Sequence, residues 1–464
     1  MGKFSKKSTP TRTINKAGGF AYKMNVETEL VHAVLTTFLD DKYYEDGDER
    51  TNRIIDLVSK NKPQFVSNLA IIARDEFNLR SVATLLIGEL SKVHRGDSLV
   101  KDTIIKAAMR VDDLTELVAY IGTPIPKQVK RGIRNALLKF SPYQLAKYKG
   151  EGNDVSLVDM FNLVHPKVQH ATKEQKKAWK DLMTGKLKSF DTWESELSAS
   201  KPVERKKIWT NLIKENKLGY MALLRNLNNM IKEGVSEKTL DIVVAKLTDP
   251  RAVKESKQLP FRFVTAYDNV QGNRKLTTAI SDAMDIAVDN TPEFTGKTLI
   301  AIDGSGSMNG KPIQIASIFG ATLAKSHCNA DVVIYDEQIQ ELKINGRIPT
   351  IDLAKKIESG AHGGGTNTSL VFQYAIQSGK KYTRIIIVSD NESWQDSSGT
   401  QTKYNEYRKI SDPVVFAIDI QGYGTKDIDS PKVKHLCGWS DRVLDFISHY
   451  EKGDALITYI KNYA

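Results

Sequence analysis

The chain has 464 residues, 40% hydrophobic and 27% charged, with 14 prolines and 30 glycines; such a composition can bury cores, and it excludes a disordered or fibrous chain. By the prior of about 150 residues per domain, this length suits one or two large domains rather than a small module. No apolar run approaches the ~20 residues that span a bilayer, and the net charge of +11 permits a polyanionic partner without identifying one.

The amino terminus, MGKFSKKSTP, is basic but lacks the apolar stretch of a secretory signal. It begins Met-Gly, yet Lys6 stands where a myristoylation signal needs Ser or Thr. From there to about residue 290, apolar residues recur at three- and four-residue intervals. Examples are Ile54-Ile55-Leu57-Val58, Phe65-Val66-Leu69-Ala70-Ile72-Ala73 and Ile104-Ala108-Leu114-Leu117-Val118. These predict amphipathic helices joined by short polar turns, with no strand pair before residue 291. Successive helices of this kind predict a HEAT-like helical-repeat solenoid or ring.

Within it, Lys127, Lys130, Arg131 and Arg134 follow i, i+3, i+4, i+7 spacing and form one basic stripe on a helix begun after Pro126. Val129, Ile133, Ala136, Leu137 and Phe140 fall on another side and can bury. Cations with a nearby aromatic and His suit a phosphate backbone with splayed bases. Taken alone, such a stripe is more often a solvated helix face, and a lone His165 more often a packing or capping histidine.

Near Asn290-Thr-Pro292 the texture changes. Thr298 to Ile302, Asp331 to Tyr335, Arg384 to Val388 and Pro413 to Ile418 are short apolar, β-branched runs, as strands buried on both faces require. Helical stretches, Ile313 to Lys325 and Ile351 to Glu358, lie between them. The pattern predicts an α/β doubly wound domain over 291–464 after an all-α domain over 1–290. Residues 291–464 carry 19 Lys+Arg against 20 Asp+Glu, which leaves 48 against 36 in residues 1–290. The basic excess belongs to the helical part. Cys328 and Cys437, the two cysteines, cannot build a disulfide framework and point to a reducing, cytoplasmic setting.

Asp303-Gly-Ser305-Gly-Ser307 follows directly on a predicted strand, where α/β folds place ligands. Its carboxylate and two hydroxyls are hard oxygens, the donors Mg²⁺ prefers. Thr366, in a Gly-rich loop, and Asp390, ending another strand, offer two more. The loop lacks the glycine spacing of a phosphate cradle and the G-x-S-x-G of a serine hydrolase. A vestigial loop that only turns the chain is the plain alternative.

Asp303, Ser305, Ser307, Thr366 and Asp390 resemble the metal-ion-dependent adhesion site of von Willebrand factor A domains. That resemblance implies a divalent ion, most simply Mg²⁺, with one position open to an acidic group of a protein ligand. Earlier segments resemble the TROVE module of the Ro autoantigen family: Ala17-Gly-Gly-Phe-Ala-Tyr22 with Tyr43-Tyr44, Ala73 to Arg80, Gly219 to Met230, and Leu259 to Phe263. A TROVE ring followed by an A domain is the Ro arrangement, and a bacterial- or phage-type member fits it. The lysine-rich segment Thr172 to Arg205 departs from the family pattern.

The resemblance implies a non-catalytic RNA-binding protein acting in RNA quality control or processing. Y-like RNA would lie on the outer surface of the ring, and single-stranded 3′ ends of misfolded non-coding RNA in its central hole. An exonuclease would be tethered through RNA, and no membrane would be engaged. The family's Y-RNA surface falls on Lys127, Lys130, Arg131, Arg134, Lys139, Tyr148, Lys149 and His165. The competing reading is a metal-dependent protein-interaction scaffold without specific RNA binding. A metal-dependent nuclease is disfavoured, because a single hydroxyl-rich site offers neither clustered carboxylates nor a Lys base.

Overall fold

The structure, a computed structural model, describes residues 11–36, 47–148, 154–187, 197, 200–292, 294–326, 329–344, 347–394, 397–438, 443, 444, 447 and 456–463. The first ten residues, Tyr43, Tyr44, Lys149, Cys328 and residues 188–196 of the lysine-rich segment lie outside the described residues. The order is a helical region followed by a mixed α/β sheet domain. By compactness the chain forms two bodies, one of residues 25–41, 45–195 and 454–464, the other of residues 1–24, 42–44 and 196–453. None of the described helices is long and apolar enough to cross a membrane.

The first body is helical: α1 (Val26–Leu35), α2 (Gly47–Lys60), α3 (Pro63–Asp75), α4 (Arg80–Val93), α5 (Leu99–Ala107), α6 (Val111–Ile121), α7 (Lys127–Ala136), α8 (Pro142–Lys147), α9 (Leu157–Val164) and α10 (Lys173–Met183). Local chemistry sets their ends. Pro63 opens α3, where its missing N–H costs nothing. Ser156 with Asp159 and Thr172 with Gln175 form capping boxes that satisfy the orphan donors of α9 and α10. α3 and α4 are buried almost all round, as helices at the centre of a helical layer must be.

The segment Ala73 to Arg80 owes its pattern to an ion cluster. Arg74 donates through Nε and Nη2 to Asp113 at 3.1 and 2.9 Å. Arg80 pairs with Asp112, Asp113 and Glu116 at 2.9 to 3.0 Å. Asp113 also accepts the backbone N–H groups of Met109 and Arg110, closing the start of α6. The end of the chain joins this body as well. Helix α22 (Leu456–Asn462) lies on α3, its Ile460 carbonyl accepting the Asn68 amide at 2.8 Å.

In the second body the helices are α11 (Pro202–Lys214), α12 (Tyr220–Arg225), α13 (Leu227–Lys232), α14 (Glu237–Leu247), α15 (Pro250–Ser256), α16 (Phe261–Asn269) and α17 (Arg274–Ala287). They belong with the sheet, so compactness divides the chain elsewhere than the change of texture at residue 291. One reason is Asp285 of α17, whose Oδ1 accepts from Lys325 Nζ and from the N–H of Thr350, both at 2.8 Å.

The sheet has the order β5 (Ile339–Leu342), β4 (Ala330–Tyr335), β3 (Thr298–Asp303), β6 (Arg384–Ser389), β7 (Val414–Asp419), β9 (Val433–Cys437). It is parallel except at β5. Helices α18 (Lys311–Ser326), α19 (Thr350–Ser359), α20 (Ser369–Gln377) and α21 (Ser397–Tyr407) connect the strands. The apolar runs predict β3, β4, β6 and β7, of which β3 and β6 are buried throughout; the more polar edge strands β5 and β9 carry no such run.

The expectation of no strand pair before residue 291 is corrected. β1 (Arg12–Ile14) and β2 (Phe20–Lys23) form an antiparallel hairpin, and β2 pairs with β8 (Thr425–Lys426). The partner of β2 lies some 400 residues on, beyond the reach of any local pattern.

Breaking the Arg74–Asp113 pair leaves a buried guanidinium unpaired. Asp113→Ala is expected to cost about 3 to 5 kcal/mol, read as a lower urea midpoint of the helical transition in far-UV circular dichroism.

Candidate metal centre and nucleic-acid interface

Strand order in the sheet reverses between β3 and β6: the chain leaves β3 for β4 on one side and returns to β6 on the other. Ligands of open α/β sheets bind outside the carboxyl ends at such a point. Asp303 ends β3 and Asp390 follows β6, both fully buried. Asp303 accepts the N–H of Ser305 at 3.0 Å and the hydroxyl of Ser389 at 2.5 Å. The hydroxyls of Ser305 and Ser307 are 3.4 Å apart. Asp390 accepts the N–H of Glu392 at 3.2 Å and the amide of Gln421 at 3.4 Å, and that amide also donates to the Ser307 carbonyl at 2.8 Å.

Thr366, also buried, arrives on the Gly-rich loop. Gly306 N–H donates to the Gly364 carbonyl and Gly363 N–H to the Gly304 carbonyl, each at 3.0 Å, which zips that loop to the Asp-Ser loop. A Cβ at Gly304 would meet Ile334 and Ala361 at 2.9 to 3.0 Å, so only glycine admits this approach. All five expected residues thus reach one sheet edge.

The charge state there is unusual. Burial lifts Asp303 to about 6, with the neighbouring Asp336 adding to the rise. Burial and the charge of Asp303 push Asp390 well above the carboxylate range. Among the described residues no group of three or more His, Cys, Asp or Glu is disposed to hold a metal. The donor set is instead two carboxylates and three hydroxyls, hard oxygens that fit a Mg²⁺-like ion and whose mutual repulsion such an ion would relieve.

Sequence reasoning missed Ser389, Gln421 and Asp336. A signal for the acids existed. Asp303, Asp336, Asp390 and Asp419 each stand at the end of an apolar run, and each accepts the N–H two residues on, at 2.8 to 3.2 Å.

In the helical body, α7 carries Lys127 and Arg131 exposed and Lys130 and Arg134 half-buried, above a buried face of Val129, Ile133 and Ala136. Arg134 donates through Nε to the Val164 carbonyl at the end of α9, where a cation also opposes the helix dipole. His165 caps α9 in the left-handed region, φ 49°, with its side chain exposed, so the stripe and His165 adjoin.

Two expected RNA contacts have structural engagements. Lys139 Nζ donates to the carbonyls of Ile105 and Ala108 at 2.6 and 2.9 Å, and burial lowers its pKa. The Arg110 guanidinium lies 4.2 Å from the ring centroid of Tyr148, covering a face expected to stack on bases. Lys149 is outside the described residues. The Gly219 to Met230 and Leu259 to Phe263 segments form α12, α13 and the start of α16, packed through the Tyr220–Phe263 edge contact. They line a cleft of about 280 Å³ that includes Arg225, Asn228 and Arg262.

Comparison with known proteins bears directly on these features. Residues 176–285 match the family model for the TROVE domain, and residues 297–451 match the Ro60 vWA domain. The chain belongs to the Ro family. The proteins named RNA-binding protein RO60 from Caenorhabditis elegans and Deinococcus radiodurans are 23% and 27% identical to this Ro-family chain over 282 and 201 residues. Those matches cover 53% and 38% of the chain and 42% and 38% of the relatives. Mouse telomerase protein component 1 is 39% identical over 85 residues, 18% of this chain and 3% of that protein. The chain therefore spans well under half of these relatives' length. The crystal structure of the Deinococcus radiodurans RO (RSR) protein shares the fold, with a TM-score of 0.63 at 18% identity, over 94% of this chain and 99% of that one.

Beside the cluster, burial first, and the charges of Asp303 and Asp419 after it, raise Asp427 to about 6, although Thr368 donates to it at 2.7 Å. A folded pKa above the unfolded value means the folded state binds the proton more tightly. Stability in EDTA should therefore rise as pH falls from 7 towards 4. Asp427→Asn is expected to flatten that rise, measured as urea midpoints at pH 5 and pH 7.

Proposed function

We propose that this Ro-family chain is a non-catalytic RNA-binding protein whose α7–α9 face takes a structured, Y-like RNA, in the service of RNA quality control or processing. The observation that carries the reading is the row of exposed cations Lys127 and Arg131 with Lys130, adjoining His165, in a family whose relatives include two named RNA-binding protein RO60. A helix face of cations meets phosphates, and counterion release makes such binding fall steeply with salt. Lys139 and Tyr148 act in this reading as supports of the surface rather than as contacts. Single-stranded 3′ ends are a second ligand of the helical part, and an exonuclease recruited through the bound RNA is the partner such a role calls for.

The A-type domain has a second, metal-dependent role in this reading. Asp303, Ser305, Ser307, Thr366 and Asp390 would hold Mg²⁺, which when bound supplies a Lewis-acidic position for a carboxylate of a protein ligand. The chain's own residues arrange the donors: Ser389 and the Ser305 N–H orient Asp303, and Gln421 ties Asp390 to the Ser307 loop. The buried, like-charged carboxylates favour this reading over a loop that merely turns the chain.

Replacing Lys127, Lys130 and Arg131 together by Glu should weaken binding of structured RNA at least tenfold, and the slope of log affinity against log salt should flatten by roughly 2 to 3. Filter binding over a salt series checks this; unchanged affinity and slope would remove α7 from the interface. Asp303→Ala should abolish the Mg²⁺ binding heat in calorimetry while leaving RNA affinity as in the wild type. A loss of RNA binding in that variant would contradict the assignment of two separate sites.

A further inference from the structure

The hairpin β1–β2 grips the segment that follows Asp390, the last of the five metal-site residues. Asn15, at the turn, is buried and uses both ends of its amide. Its Oδ1 accepts the Gly19 N–H at 2.7 Å, and its Nδ2 donates to the Ser393 carbonyl at 2.7 Å. Ala17 N–H donates to Glu392 at 3.1 Å, and Thr425, in the strand paired with β2, donates to the same carboxylate at 2.9 Å. Gly19 lies flat against the segment: a Cβ there would stand 2.0 Å from the Ser393 carbonyl oxygen and 2.5 Å from Trp394 Cα.

Residues 392–394 in turn reach both loops of the site. The Glu392 N–H donates to Asp390 at 3.2 Å. Ser393 Oγ donates to the Thr366 carbonyl at 3.2 Å, and the Trp394 N–H reaches the same carbonyl at 3.3 Å. The Trp394 ring covers Gly365, where a Cβ would lie 2.3 Å from its Nε1. Asp390 and Thr366 come from separate connections, and the segment under the hairpin is bonded to both.

We infer that the amino-terminal hairpin is a clamp of the metal site, with Asn15 and Gly19 as positioning residues that hold Asp390 and Thr366 at the separation an ion requires. The inference rests on the metal reading above. The physics is that of outer-shell partners generally: a donor fixed by its neighbour loses no orientational freedom on binding, and losing that neighbour typically weakens metal binding 10- to 100-fold. Asn15→Ala deletes the tie to Ser393, and Gly19→Ala pushes the segment away.

The test is Mg²⁺ titration calorimetry on the full-length chain, with Phe20→Ser as a control that changes an exposed hairpin side chain only. Asn15→Ala and Gly19→Ala are each expected to raise the Mg²⁺ dissociation constant at least tenfold, with a cooperative urea transition retained in EDTA and Phe20→Ser binding as the wild type. Two variants of opposite kind, one removing atoms and one adding them, keep the test open if either misfolds. Wild-type affinity in both would overturn the clamp while leaving the metal site standing. Absence of Mg²⁺ binding in the wild type itself would remove the metal reading and the clamp with it.

Discussion

Two carboxylates withdrawn from water at neighbouring strand ends set the terms for the sheet-bearing body. Asp303 and Asp390 are both fully buried; burial raises the proton affinity of each, and the charge of Asp303 raises that of Asp390 further. Neutral donors answer them: the hydroxyl of Ser389, the N–H groups of Ser305 and Glu392, the amide of Gln421. Hydrogen bonds to neutral donors supply only partial charge, and in a medium of low dielectric that does not offset desolvation plus repulsion. The loops are therefore built around an electrostatic deficit that either protons or a hard cation can fill, and the closeness of the Gly-rich loop, the Gln421 tie and the hairpin all serve to keep the deficit localised.

That localisation needs a sheet that does not yield. Four tyrosines are fully buried: Tyr335 at the end of β4, Tyr382 just before β6, and Tyr404 and Tyr407 on α21. Three of them are anchored by their hydroxyls: Tyr382 to Asp331 at 2.6 Å, Tyr404 to Ser430 at 2.9 Å, Tyr407 to the Lys380 carbonyl at 2.9 Å. A buried phenol with its hydroxyl satisfied packs as a large apolar plate without an orphan polar atom. The strand ends inherit this rigidity, and the aspartates that close each turn stand at fixed positions.

What was legible in the sequence follows from how local the causes are. β3 and β6 are visible because strands buried on both faces are apolar throughout, the Asp303–Ser307 loop and Asp390 because they follow strands, and Thr366 because its loop is rich in glycine. The helices are visible through their period, and the start of α7 through Pro126. The hairpin β1–β2 was not visible, since it is short, β2 buries two consecutive residues rather than alternate ones, and its neighbour is Thr425–Lys426. Nor was the engagement of Lys139, whose ammonium satisfies the carbonyls at the end of α5. In sequence a cation that caps a helix and a cation that awaits a phosphate look alike; only the position of the next element separates them.

The same distinction changes what the basic excess means. The helical portion before residue 291 holds 48 Lys+Arg against 36 Asp+Glu, but Arg74 and Arg80 are committed to the acids of α6 and Arg134 to the end of α9. Net charge counts these equally with Lys127 and Arg131, whereas the acids of α6 cancel the field of Arg74 and Arg80, and the Val164 carbonyl holds Arg134 in place without cancelling its charge. The TROVE match, residues 176–285, lies beyond α7 in the chain. Membership of the family and the choice of binding face thus rest on different residues. The first stands on the matched segments, and the second on exposure and on how few of the stripe's cations are held by protein carbonyls.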